Sequence, residues 1–276
     1  MATIDLPKIN FMFIRPTIYL LLINMCCIST ISAQVTSNPP NKEFAYNTNV
    51  WMMYNGTHKL SAKWKWYTEV QWRKNEWFKN PLQLQLRTTF DYKAGEKITT
   101  SLGYVWTETD PYGNQPSSNY DFGEHRPFEQ IVIDNKLGRF NISHRYRFEQ
   151  RFSETKIYSA SDSAYFHDSW SYKNRFRYRF QANIPLNKKE IENKTLFLTV
   201  YDELFISFGK NVKKNMFDQN RIFVGFGYKV NPALGFQVGY VLQSILKSDG
   251  FKFEQNHTAV IGITYNIDFT KLGKKD

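Results

Sequence analysis

From Leu60 to Arg73 the chain alternates with a period of two. Leu60, Ala62, Trp64, Trp66, Val70 and Trp72 share one parity, and Ser61, Lys63, Lys65, Glu69, Gln71 and Arg73 share the other. A helix with 3.6 residues per turn would scatter these two sets around its axis, whereas an extended strand places them on opposite faces. The pattern returns throughout the chain. Leu82, Leu84, Leu86, Phe90 and Tyr92 interleave with Gln83, Gln85, Arg87, Asp91 and Lys93, and Phe176, Tyr178 and Phe180 with Arg175, Arg177 and Arg179. About eleven such segments are legible: 44–54, 60–73, 82–93, 97–109, 124–135, 139–152, 169–183, 195–208, 217–229, 233–246 and 256–269. Most exceed the five or six residues of an ordinary soluble strand. The chain is therefore all-β, with each strand lying between a polar and an apolar medium.

The charges identify the media. Leaving aside the less regular 124–135, at least fourteen cationic and five anionic side chains occupy the polar parity, and Asp202 stands out on the apolar one. A bulge near Asp202-Glu203 would turn it inward. A soluble sandwich or lipocalin-like barrel puts its apolar parity inside, while a transmembrane barrel puts it outside and keeps the polar parity in the lumen. Strands of ten to fourteen residues, tilted, match a membrane span. Trp64, Trp72, Trp106, Trp170, Tyr92 and Tyr228 stand near strand ends, as interfacial girdles do. Short turn signals at Asn55-Gly56, 93–96, 135–138 and 231–232 contrast with long polar stretches at 110–124 and 153–168. The sequence thus predicts an antiparallel up-and-down transmembrane β-barrel of 10–12 strands. An even count is favoured so that both ends emerge on one side, and twelve results if 35–43 supplies a further strand. A mean hydropathy of −0.52 excludes a bundle of apolar helices.

Residues 1–33 read as a signal peptide: Lys8 and Arg15, then the apolar run 17–28, then small residues up to Ala33. A segment 34–43, the barrel 44–269 and a tail 270–276 would follow. Both cysteines, Cys26 and Cys27, fall in the leader, so the mature chain carries no disulfide framework or thiolate metal site. The expected location is the bacterial outer membrane, with outer-membrane lipid and the barrel-assembly machinery as partners.

Arg126-Pro127-Phe128-Glu129-Gln130 is followed by His144-Arg145-Tyr146-Arg147-Phe148-Glu149-Gln150-Arg151-Phe152. Farther on come 175–180, Tyr201-Asp202-Glu203 and Asp218-Gln219-Asn220-Arg221 leading into Gly225-Phe226-Gly227-Tyr228. In these blocks the chain resembles the bacterial family called domain of unknown function 2490, from about residue 44 to 269. The resemblance implies an exported outer-membrane-type barrel and brings no activity, cofactor or catalytic residue.

The most chemically distinctive feature is a basic ladder. Arg145, Arg147, Arg151, Arg175, Arg177 and Arg179, with Arg221, share the lumenal parity, and Glu149 and Glu203 are their nearest acidic candidates. Such a wall either attracts a small anionic solute, forms a narrow anion-selective pore, or knits itself into a rigid plug. A rim hydrolase would draw on His125, His144 and His257 with Ser143, Glu129 or Asp218. However, His144 and Ser143 fall on opposite faces, and no nucleophile elbow or zinc spacing appears. No enzyme or cofactor is expected, and no nucleic-acid partner either, because the basic charge (+11 overall) is sorted to one parity of an exported chain.

Overall fold

The computed structural model describes residues 41–271. The alternating segments become eleven strands closed into one barrel. They are β1 (Glu43–Lys59), β2 (Trp64–Asn75), β3 (Asn80–Lys93), β4 (Ile98–Thr109), β5 (Phe122–Leu137), β6 (Phe140–Ser159), β7 (Ala164–Pro185), β8 (Thr195–Phe208), β9 (Phe217–Lys229), β10 (Leu234–Leu246) and β11 (Lys252–Tyr265). Each strand pairs antiparallel with the next. The seam between β1 and β11 is parallel, running from Glu43 beside Lys252 to Asn55 beside Thr264.

That seam corrects the expected even count and the wholly antiparallel closure. With eleven alternating strands the first and last point the same way, so they close in parallel, and no strand from 35–43 is needed. The leader 1–33 and most of the 270–276 tail lie outside the described residues. Two loop expectations also change. Asn55-Gly56 lies within β1, and the turn comes later, where the Leu60 and Ser61 amides both donate to the Trp64 carbonyl. The polar stretch 153–168 is a hairpin rather than a loop: β6 and β7 stay paired to Ser159 and Ala164. One end of the barrel, the loop end, therefore carries this hairpin and the 110–121 and 209–216 connections. The other, the turn end, carries 60–63, 94–97, 138–139, 186–194 and 230–233.

The parity assignment holds strand by strand. Phe176, Tyr178, Leu198, Val224 and Ile261 all lie on the outer wall. Inside, aromatic rings settle on glycines of neighbouring strands. A Cβ on Gly103 would stand 2.2 Å from Cζ of Phe128, and one on Gly227 would stand 2.2 Å from Cζ of Phe197, so only glycine admits these rings. No bulge forms at Asp202. Its carboxylate stays on the outer wall and accepts from Asn220 Nδ2 at 2.6 Å. The bulge lies farther along, where Phe205 faces Gln219 and Ile206 faces Phe217. The skipped residue is Asp218, which accepts from the Ser207 hydroxyl at 2.7 Å. Asp202 is not alone outside, because Glu129 of β5 also faces outward and accepts from Gln150 at 3.2 Å.

Candidate functional site

Strands β5 to β8 set their inward residues side by side: Arg145 opposite Arg179, Arg147 opposite Arg177, Glu149 opposite Arg175, and Glu203 opposite Arg179. Like charges in direct register repel. The carboxylates between them remove that conflict. Glu149 accepts from Arg175 through Nε at 2.8 Å and Nη2 at 2.5 Å, and from Arg177 Nη1 at 2.5 Å. Its other near neighbour is Arg147, at 3.6 Å. Glu203 accepts from Arg177 Nη2 at 2.7 Å and from Arg145. Glu149 and Glu203 therefore stand between guanidiniums of neighbouring strands.

Arg151, Arg179 and Arg221 behave otherwise, and Arg221 forms no ion pair among the described residues. Arg151 reaches past Glu149 to Glu124, with Nε at 2.5 Å and Nη2 at 2.9 Å, and Arg126 grips the same carboxylate at 2.5 and 3.0 Å. Arg179 makes no ion pair among the described residues and lies over the Tyr201 ring, 5.3 Å from its centroid. Six guanidiniums (Arg126, Arg145, Arg147, Arg151, Arg175 and Arg177) thus share Glu124, Glu149 and Glu203, and Arg151 also lies 3.6 Å from Asp218. Glu124 and Arg126 escape the sequence pattern because β5 carries His125, Pro127 and Glu129 on its outer parity, which hides the amphipathic signal.

This lattice fills the middle of the barrel. Glu149 is 0%, Glu203 2%, Arg147 3% and Arg177 4% exposed, and the Phe205 ring packs beside Arg175 and Arg177. On the β2–β3 side, Glu69 accepts from Arg87 at 2.8 Å, Gln71 at 2.6 Å, Gln85 at 2.9 Å and the Tyr67 hydroxyl at 2.5 Å. Above the lattice a cup of about 990 Å³ opens toward the loop end. Its floor includes Arg175 and Arg177; Arg73, Arg221, Lys173, Lys210 and Lys213 line its sides; and Asn114, Ser117, Asn119 and Asn211 contribute to its rim. Twelve Lys and Arg side chains line it against four carboxylates.

The candidate hydrolytic residues are not assembled. His144 bonds the Tyr178 hydroxyl at 2.9 Å, His257 that of Tyr240 at 2.6 Å, and His125 that of Tyr104, each on the outer wall. Ser143 and Asp218 face inward, and Glu129 faces outward beside Gln150. The histidines join the aromatic belts instead, where Trp64, Trp66 and Tyr92 stand near the turn end and Trp72, Trp106 and Trp170 near the loop end.

A closed barrel with an apolar outer wall, aromatic belts at both ends and its charges gathered inside is a membrane-type β-barrel. Within that class, the chain belongs to the family described as protein of unknown function (DUF2490), whose sequence model matches residues 48–267. No curated protein and no solved structure matches the chain.

Proposed function

We propose that this protein spans the bacterial outer membrane and presents its cup, loop end outward, to small anionic solutes, which it binds rather than conducts. The leader-like N-terminus, the apolar wall and the aromatic belts support the location, and barrel-assembly machinery would insert it. The observation that carries the binding reading is the pairing of a cationic cup with a closed floor. The guanidinium–carboxylate lattice leaves Glu149, Glu203, Arg147 and Arg177 almost without solvent contact, while the cup above carries a large excess of positive charge. Such a field draws anions inward, and a filled floor stops them there. The lattice also acts as a rigid strut for the wall. The reading includes no catalysis.

Planar-bilayer recording on the purified barrel tests it. The expected result is no steady conductance, together with anion binding that weakens as salt rises. A steady anion-selective current whose reversal potential shifts in Arg177→Glu would overturn the closed floor and establish the pore instead.

A further inference from the structure

Every cation of the lattice is held by a carboxylate, but two guanidiniums at the side of the cup are not. Arg73 donates only to neutral amides, through Nε at 3.0 Å and Nη2 at 2.5 Å to Gln71 and through Nη1 to Gln83 at 2.7 Å. Arg221 is held by Gln219, whose amide oxygen, turned toward it, accepts from Nη2 at 2.8 Å. Neither forms an ion pair among the described residues. Both lie over the indole of Trp51, with guanidinium carbons 4.1 and 5.1 Å from the ring centroid. Trp51 is 4% exposed and Arg73 is 6% exposed, yet all three side chains line the cup. The indole Nε1–H of Trp51 is buried and has no acceptor among the described residues. Amides fix the two forks without neutralising them, and the indole takes up one side of each, leaving the remaining N–H groups to act as donors.

From this we infer that Arg73, Arg221 and Trp51 form an oxyanion site in the cup wall that takes a phosphoryl group, either as free phosphate or as the phosphomonoester of a saccharide. The inference rests on the cup reading above. Two positive charges match the nearly two negative charges of a phosphate at neutral pH better than the single charge of a carboxylate. Two guanidinium forks also match its several oxygens. An indole N–H adds a third, uncharged donor. The hydroxyl- and amide-rich rim of Asn114, Ser117, Asn119 and Asn211 would meet the neutral remainder of an esterified ligand.

Titration calorimetry on the detergent-solubilised barrel, with inorganic phosphate, glucose 1-phosphate and acetate in turn, tests this. Phosphate should bind at least tenfold more tightly than acetate. Arg73→Gln and Arg221→Gln should each weaken phosphate at least tenfold. Trp51→Phe, which keeps the ring and loses the N–H, should weaken it several-fold, and Lys97→Gln on the far turn should leave it unchanged. Tighter binding of glucose 1-phosphate than of phosphate assigns the site to a sugar phosphate, and equal binding assigns it to the free ion. Phosphate binding that survives all three substitutions, or acetate binding as well as phosphate, would overturn the site while leaving the cup reading intact. No anion binding by a correctly folded barrel, with heat-modifiable gel mobility as the check, would remove both.

Discussion

Replacing Glu149 by glutamine tests the lattice directly. Glu149 is fully buried and accepts three hydrogen bonds of 2.5–2.8 Å from Arg175 and Arg177. Glutamine keeps the shape and one acceptor oxygen, but it turns an NH₂ toward a guanidinium and removes the only carboxylate paired with Arg175, while Arg177 keeps Glu203. At least one charge-assisted bond is lost, about 1.5–3 kcal/mol, and a buried cation is left uncompensated, so the total cost should be about 3–5 kcal/mol. Removing a cation is different. In Arg175→Met the carboxylate keeps Arg177, and the local excess of positive charge falls, so the expected cost is only about 1–2 kcal/mol. The double variant should be less unstable than the two single costs added together, because the residues share one network. Urea unfolding of the barrel in micelles, followed by tryptophan fluorescence and gel mobility, measures all three. A Glu149→Gln protein within about 0.5 kcal/mol of wild type, or more stable than Arg175→Met, would refute the claim that carboxylates hold the guanidiniums together.

Three further outcomes follow from other parts of the barrel. Val224→Lys puts a charge on the outer wall near mid-strand and should cost about 2–4 kcal/mol in bilayers, read from folding into vesicles; no cost would reverse the parity assignment. Gly103→Ala drives a methyl group into the Phe128 ring and should cost about 1–3 kcal/mol, with Phe128→Leu in the same chain restoring part of it in urea unfolding. In the 110–121 connection, the hydrogen bond from Lys156 holds the Asp121 carboxyl below its ordinary value of 3.8. A lowered folded-state value stabilises above the ordinary one and is lost as pH falls through the folded one. A spin label at Asn119→Cys should therefore become mobile below about pH 4 and be mobile at every pH once Lys156→Met removes the partner.

Strand existence and facing were readable because two media impose one parity on every residue, and a slip of one position would expose a whole row to the wrong medium. Arg175, Arg177 and Arg179 could therefore be placed inside from their neighbours Phe176, Tyr178 and Phe180 alone. Partner choice was only half readable. Glu149 and Glu203 lie on strands with clear alternation, while Glu124 lies on β5, where His125, Pro127 and Glu129 blur it. The fate of Asp218 depended on a bulge set by how β8 and β9 slide past each other, a pairing that no single segment records. Strand number escaped for a similar reason. Each segment was visible, but whether the last runs parallel or antiparallel to the first is a property of closure. The site around Trp51 needed β9 to meet the β1–β2 pair in which Trp51 stands opposite Arg73, and no local spacing announces that.

The parallel seam is the least local pairing of the barrel. Ten pairings join strands adjacent in sequence and can form as each hairpin emerges. The eleventh joins residues 209 positions apart, as in the bonds of Asn47 to Asn256 and Asn55 to Thr264. Closing so long a loop costs about 5 kcal/mol of chain entropy, and a parallel ladder returns slightly less per residue than an antiparallel one. Until that ladder forms, β1 and β11 are bare edges. Those two strands need guarding until they meet, and a peptide copying either would jam the process at that point.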